Sequence, residues 1–132
     1  MDLTKLTITK AHEGLKKKEF TSRQLTEAYL AKIKEKDAEI GAYLSITEEL
    51  ALEQADRADK IINEGKDFPP LMGIPVSIKD AILVEGQKVT AASKILEKYV
   101  APYDATVIKK LKEQGAVILG KTNLDEFAMG AS

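Results

Sequence analysis

The stretch from Leu71 to Leu83, LMGIPVSIKDAIL, is a hydrophobic strand candidate with one lysine, Lys79, inside it and Asp80 directly after that lysine. A strand that is buried on both faces is a nearly continuous apolar run. Val76 and Ile78 fit that pattern. The ammonium group of Lys79 therefore needs a physical explanation.

Two interpretations of Lys79 follow from this stretch alone. If the strand is buried, desolvation disfavours the charged ammonium and lowers the pKa of a lysine, which is the condition under which lysine acts as a base. Neighbouring strand residues point to opposite faces, so Asp80 is not expected to lie beside the Lys79 amine. If the strand lies at the edge of a sheet, Lys79 simply reaches water and discourages aggregation.

Composition bounds the remaining possibilities. The 132 residues, 44% hydrophobic and 31% charged, are typical of a soluble domain with one core. The net charge of −1 does not favour nucleic acid or membrane partners, and the absence of cysteine excludes disulfides and a thiolate nucleophile. The N-terminus lacks the apolar core of a signal peptide, so we expect a cytoplasmic protein. The single histidine, His12, has no partner in sequence, which favours a packing role.

The first half, about residues 1–66, is predicted to be a layer of three helices with a short strand at 42–46. Thr21 and Gln24 form a candidate capping box before the second helix, and Thr47 is expected to cap the third. The apolar faces of the three helices are Ile8, Ala11 and Leu15; Leu25, Ala28, Tyr29 and Ile33; and Ala51, Ala55, Ala58 and Ile62. These helices are predicted to pack as an outer layer without chemistry of their own.

The second half, about residues 67–132, is predicted to begin the sheet core. After the Lys79 strand, Asp104 is expected to cap a helix that ends at Gly115, and residues 116–119 are predicted to form a buried strand. Strand, helix and strand with short connections predict a βαβ unit and an at least partly parallel sheet. A short helix is expected within residues 122–132. The fold class is therefore α/β.

The sequence from Gly115 to Thr122, GAVILGKT, matches the P-loop pattern by letters. In a P-loop, however, a hydrophobic strand precedes the first glycine, and the four intervening residues form a loop whose amides hold phosphate. Here residues 116–119 are themselves the predicted strand, and the residues after Thr122 are a poor start for a long helix. We therefore reject a phosphate-binding role for this segment.

Three segments in order resemble the amidase signature family: GIPVSIKD, TAASKIL and APYDATVIKKLKEQGAVILGKTNLDEFAMG. Within that family they are most similar to the glutamine-hydrolysing A subunits of tRNA-dependent amidotransferases. The resemblance covers nearly the whole chain and is strongest from Leu71 onward. It implies an α/β/α sandwich with a mixed central sheet, of which residues 1–132 form the N-terminal portion of a single domain.

The resemblance also implies a Ser–cis-Ser–Lys triad, in which the lysine of the family's G-I-P-x-x-x-K-D motif corresponds to Lys79. A neutral lysine there accepts a proton, through the cis-serine, from the serine that attacks glutamine. Met129 lies in a segment that borders the acyl pocket in the family, so it is a candidate substrate contact, with core packing as the alternative. A supporting structural role is expected for four further motif residues: Asn123, Asp125, Glu126 and Phe127.

The sequence departs from the family in three respects. Ala81 stands where the family often has asparagine, and Val89 stands where a smaller or sulfur-containing residue is common. The family's two catalytic serines and its oxyanion hole lie downstream of the M-G-x-S region, at which this sequence ends. We therefore assign neither Ser77, Ser93 nor Ser132 as the nucleophile, and we expect these 132 residues alone to be catalytically inactive.

The resemblance implies partners as well as chemistry. The complete protein is expected to be the glutamine-hydrolysing part of a glutaminyl-tRNA synthase (glutamine-hydrolysing), releasing ammonia from glutamine and assembling with B and C subunits. The A subunit needs no cofactor or metal, whereas ATP, Mg²⁺ and Glu-tRNA(Gln), or Asp-tRNA(Asn), are handled by the B subunit. The alternatives are another signature amidase that hydrolyses small amides, or a non-catalytic product that only binds a partner or self-associates.

Overall fold

The computed structural model describes residues 1–130, which form four α-helices and three β-strands. The helices are α1 (Ile8–Lys16), α2 (Ser22–Ile40), α3 (Glu48–Asn63) and α4 (Thr106–Glu113). The strands are β1 (Tyr43–Ile46), β2 (Pro75–Lys79) and β3 (Val117–Thr122). Short 3₁₀ turns occur at Leu3–Lys5, Lys94–Leu96 and Glu126–Ala128.

The three strands form one mixed sheet in the order β1-β3-β2. β2 and β3 are parallel and are connected through α4, which confirms the predicted βαβ unit, while β1 is antiparallel to β3. One strand of the sheet therefore comes from the first half of the chain, which had been predicted as mainly a helical layer. The mixed sheet with helices packed against it confirms the α/β fold class.

The helical layer packs as its apolar spacing predicts. One cluster joins α1, α2 and α3 to the segment before β2, and a second places α2 and α3 against Val117 and Leu119 of β3. Gly14 is required by close packing, because a Cβ atom there would lie 2.4 Å from the ring of Phe20. His12 packs against Phe68 with the ring centroids 4.8 Å apart, in agreement with a packing role.

The two predicted helix caps in the first half have different outcomes. Thr21 and Gln24 form the predicted capping box at the start of α2. Thr47 occupies the N-cap position of α3, but the prediction that its side chain caps the helix is wrong. The Thr47 hydroxyl instead donates to the carbonyl of Ile118 at 2.7 Å, a buried bond from helix to sheet.

This bond lies beyond the end of the pairing between β1 and β3. The last pair of that ladder is Ile46 with Gly120, so β1 does not pair with Ile118. On the α3 side, the Ile118 carbonyl accepts from Thr47, and the Ile118 amide donates to the side-chain carbonyl of Gln54 at 2.8 Å. Both polar backbone groups of a buried residue are thereby satisfied, as buried backbone groups require.

The prediction that Asp104 caps α4 is also wrong, since the N-cap residue is Ala105 and no side chain caps that helix. The Asp104 carboxylate accepts from the amide of Glu85 and from the Lys112 ammonium, both at 2.8 Å. Burial works against ionisation of this carboxyl, but these two donors hold its pKa below the ordinary value. Asp104 therefore ties the loop after β2 to α4.

The short helix predicted near the C-terminus is a single 3₁₀ turn, Glu126–Ala128. Phe127 has left-handed backbone angles (φ 53°, ψ 23°), which a continuing right-handed helix does not tolerate. The turn therefore ends at Ala128 instead of extending through the last residues described.

Replacement of Thr47 tests the helix-to-sheet bond. Thr47→Val keeps the shape of the side chain but leaves the buried Ile118 carbonyl without its hydroxyl donor, so we expect the free energy of unfolding to fall by about 1–3 kcal/mol. Thr47→Ser keeps the hydroxyl and serves as the matched control, with a smaller loss. Urea unfolding of both variants measures the difference, and equal losses would contradict the assigned role of the hydroxyl.

Candidate active-site lysine and its buried anchor

Lys79 is the last residue of β2, and its side chain is exposed. Ser77 and Lys79 alternate along the strand with buried Ile78, and buried Asp80 follows. Of the two interpretations of Lys79, the described residues fit the edge strand, because β2 lies at the edge of the sheet. Ile78 packs on the core, whereas Ser77 and Lys79 are exposed. Lys79 and Asp80 do point to opposite faces, as strand geometry predicts.

The exposed face beside Lys79 carries a pair of hydroxyl groups. The phenol oxygen of Tyr43 lies 2.5 Å from the hydroxyl oxygen of Ser77. Tyr43 belongs to β1 and Ser77 to β2, so this bond spans β3. Gly120 of β3 permits this, because a Cβ atom there would lie 3.0 Å from the Tyr43 ring and 2.5 Å from the Ser45 carbonyl oxygen. Ser77 and Lys79 therefore share a face whose hydroxyl groups are already hydrogen-bonded to each other.

The opposite face contains a buried polar group that we call the Asp80 cluster, formed by Asp80, Thr90 and Lys121. The Lys121 ammonium lies 3.1 Å from one carboxylate oxygen of Asp80, and the two side chains are 0% and 1% exposed. The second carboxylate oxygen accepts from the amide of Thr90 at 3.2 Å and from its hydroxyl in a short hydrogen bond. Lys121 also donates to the carbonyl of Lys88 at 3.0 Å.

Burial lowers the pKa of Lys121 below its ordinary value, and the adjacent Asp80 carboxylate opposes that shift. Lys121 belongs to the GKT sequence that mimics a P-loop, but residues 117–122 form β3, so this segment provides no phosphate-binding loop. The lysine of this segment, Lys121, instead forms the buried ion pair with Asp80. The buried strand predicted over residues 116–119, on which the rejection of the P-loop interpretation rested, is confirmed by β3, which begins at Val117.

Two left-handed backbone segments meet beside the Asp80 cluster. Ala91 and Ala92 have φ angles of 49° and 55°, and Phe127 and Ala128 have φ angles of 53° and 56°. Each such non-glycine residue costs on the order of 1–3 kcal/mol and persists only where its surroundings impose it. Backbone hydrogen bonds hold two of these residues, Ala91 and Phe127, in place. The carbonyl of Asp80 accepts from the amide of Ala91 at 3.0 Å, and the carbonyl of Ala91 accepts from the amide of Phe127 at 2.9 Å.

The structure places the remaining predicted site residues as follows. Met129 follows the Glu126–Ala128 turn and is 75% exposed, so it is not core packing among the residues described. Ser93 is buried, and its hydroxyl donates to the carboxylate of Glu126 at 2.7 Å, which agrees with a supporting structural role for Glu126. Ser132 lies outside the described residues.

Sequence reasoning did not predict the pairing of Asp80 with Lys121. The two residues are 41 positions apart, and no local spacing links them. The available signal was a lysine two residues after the apolar run of residues 116–119, since a buried lysine in a strand needs an acidic partner. The pairing of Tyr43 with Ser77 had no comparable signal.

No group of three or more histidine, cysteine, aspartate or glutamate side chains within residues 1–130 is arranged to hold a metal ion. None of the described helices is long and apolar enough to cross a membrane.

The mixed sheet and its parallel βαβ unit define an α/β protein. Residues 24–132 match the family model described as Amidase. The chain belongs to the amidase family, as the motif resemblance predicted.

Curated relatives agree with this assignment. The chain is 49% identical over 132 residues to the A subunit of the glutamyl-tRNA(Gln) amidotransferase of Koribacter versatilis, and it covers 28% of that protein. It is 52% identical to the protein of the same name from Ruminiclostridium cellulolyticum, of which it covers 27%. The chain thus spans little more than a quarter of the length of these relatives.

A solved structure supports the fold. The peptide amidase from Stenotrophomonas maltophilia superimposes with a TM-score of 0.87 and is 32% identical. The match covers 93% of this chain and 26% of that one. The fold described above is therefore that of the corresponding part of an amidase.

Replacement of one or both members of the buried ion pair tests the Asp80 cluster. Lys121→Met leaves the Asp80 carboxylate buried and unpaired, so we expect the free energy of unfolding to fall by about 3–5 kcal/mol. Asp80→Asn combined with Lys121→Met removes both charges, and we expect this double variant to lose less than the sum of the two single variants. Chemical unfolding of the three variants gives the coupling, and strict additivity would contradict the buried ion pair.

Proposed function

We propose that this chain is the lysine-bearing part of the glutamine-hydrolysing A subunit of a tRNA-dependent amidotransferase, with Lys79 as its general base. The observation that carries the proposal is the position of Lys79: it ends an edge strand, its side chain is exposed, and the next residue is anchored in the core. The identity of about 50% over the whole chain to proteins named as such subunits supports it.

The chemistry needs groups that this sequence does not contain. In the proposed reaction, a serine from the downstream part of the protein attacks the side-chain amide carbon of glutamine. Its proton passes through a second serine to the neutral amine of Lys79, and the protonated lysine then returns a proton so that ammonia leaves. Water hydrolyses the resulting ester to glutamate, which restores the serine.

The electrostatic requirement on Lys79 is that it be neutral before the attack. The described residues leave its side chain exposed to water. Coverage of the Lys79 face by the downstream part of the protein removes that water, and desolvation favours the neutral amine. Our proposal therefore divides the site between a base supplied by β2 and two serines and an oxyanion hole supplied from outside residues 1–132.

The remaining assignments follow from the same proposal. Met129, exposed beside the left-handed turn at Phe127 and Ala128, contacts the acyl part of the substrate. The ammonia passes to a B subunit, which uses ATP and Mg²⁺ to activate Glu-tRNA(Gln) or Asp-tRNA(Asn), and a C subunit joins the two. The complex works in the cytoplasm. Residues 1–132 alone hydrolyse no glutamine.

A second candidate is a signature amidase that acts on small amides, and the likeness to the peptide amidase favours it. The lower identity, 32% against 49–52%, ranks it behind the amidotransferase. A third candidate is a non-catalytic chain that self-associates through the open edge of β2, because exposed strand edges pair with other chains.

A reconstructed enzyme tests the proposal. Residues 1–132 of this chain are joined to the downstream part of the Ruminiclostridium cellulolyticum relative, and glutamine hydrolysis is measured with the partner subunits present. We expect Lys79→Ala to lower kcat by about 100- to 10,000-fold, the usual contribution of general acid–base catalysis. Lys110→Ala, at an exposed position of α4, is the matched control and is expected to leave the rate unchanged.

Three results would contradict the proposal. Near-normal glutaminase activity of Lys79→Ala would remove Lys79 from the mechanism. An inactive reconstructed enzyme beside an active natural relative would show that residues 1–132 do not supply this function. Hydrolysis of small amides with no activity on glutamine would favour the second candidate.

A further inference from the structure

The residue after Lys79 is held more firmly than Lys79 itself. The Asp80 carboxylate accepts from Lys121 and twice from Thr90. Its amide donates to the Thr122 carbonyl, and its carbonyl accepts from the Ala91 amide, each at 3.0 Å. Within residues 1–130, by contrast, the Lys79 ammonium has neither a hydrogen-bond acceptor nor an ion-pair partner.

A base must lie within hydrogen-bond reach of the proton it accepts, and a displacement of about 1 Å can cost 100-fold in rate. The Lys79 side chain is long and exposed, so the described part of the chain fixes it only through its own backbone. That backbone is paired with β3 on one side and followed directly by Asp80. The position of Lys79 therefore depends on where the Asp80 cluster holds the end of β2.

The same cluster reaches a second part of the predicted site. The carbonyl of Ala91 connects the segment after Thr90 to the amide of Phe127, two residues before Met129. The Ser93 hydroxyl makes a parallel connection to Glu126. One buried ion pair is thus linked both to the strand end that presents Lys79 and to the left-handed turn that precedes Met129.

We propose that Asp80 and Lys121 are positioning residues that form a buried clamp holding Lys79 in place for catalysis. This inference rests on the proposed function, since it assigns the clamp a role in the reaction that Lys79 serves. Neither side chain touches the substrate, because both are buried on the face of β2 opposite to Lys79. The clamp acts through the backbone of residues 79 and 80.

A purely structural ion pair would produce a different result from a positioning clamp. Loss of a structural pair lowers the fraction of enzyme that is folded, but each remaining folded site turns over at the normal rate. Loss of a positioning clamp lowers kcat for each folded site and leaves KM nearly unchanged, because the binding of glutamine is not altered. The discriminating quantity is therefore kcat per active site, not total activity.

The test uses the reconstructed enzyme with Asp80→Asn and Lys121→Met. Folded active sites are counted by the end point of serine labelling with a fluorophosphonate, and kcat and KM for glutamine are then measured per labelled site. We expect kcat to fall by about 10- to 100-fold with KM changed less than about twofold, the range typical of lost positioning. Thr90→Val, which removes only the Thr90 hydroxyl from the cluster, is expected to give a smaller fall and covers the case in which the charge variants do not fold.

Asp104→Asn is the matched control. It breaks another shielded aspartate–lysine pair, Asp104 with Lys112 at 2.8 Å, at the start of α4 instead of the end of β2. We expect it to lower stability without changing kcat per labelled site.

Two outcomes overturn the proposal, and they are distinguishable. If the Thr90 variant and every charge variant that folds have the same kcat per labelled site as Asp104→Asn, the clamp is only structural and Lys79 keeps its role. If Lys79→Ala itself retains normal glutaminase activity, the proposed function fails and the positioning role falls with it.

Discussion

The buried ion pair between Asp80 and Lys121 is the interaction that holds the end of β2 in place. Burying two charges is expensive unless each is paired and its remaining hydrogen-bonding capacity is satisfied. Here the carboxylate and the ammonium are almost completely excluded from water, and backbone and hydroxyl groups supply further hydrogen bonds to them. The pair joins β2 to β3 and to the loop after β2, so it fixes three parts of the chain at once.

Strand alternation places Lys79 on the exposed side of β2 because Asp80 is held on the buried side. Because Asp80 must point into the core, Lys79 must point away from it. Gly120 of β3 has no side chain to block the Tyr43 ring, so the Tyr43 phenol reaches the Ser77 hydroxyl across β3. At this end of β2, one side of the strand carries the buried ion pair, and the other presents Lys79, which has no partner within residues 1–130. This separation fits the role that we propose for Lys79, since a carboxylate beside a lysine base would hold its proton.

Much of this arrangement was predictable from local patterns. Helical spacing located α1 to α4, the Thr21–Gln24 pair located the start of α2, and strand–helix–strand order predicted the parallel pairing of β2 with β3. The edge position of β2 is one of the two interpretations that its sequence left open. Two cap predictions failed for a common reason. Thr47 and Asp104 have the residue types of helix caps, but each bonds a distant segment. The hydrogen bonds of such side chains depend on partners that are far away in the sequence, and a single sequence does not identify those partners.

The position of Lys79 relative to a serine is the quantity that tests the role of this lysine most directly. The measurement is a crystal structure of the reconstructed enzyme, with the distance from Lys79 Nζ to the nearest serine Oγ of the downstream part as its result. We expect a hydrogen-bond distance of about 2.6–3.2 Å, with Asp80 and Lys121 still paired beneath the strand. A Lys79 side chain that remains in solvent, with no serine hydroxyl within reach, would contradict its assignment as the base.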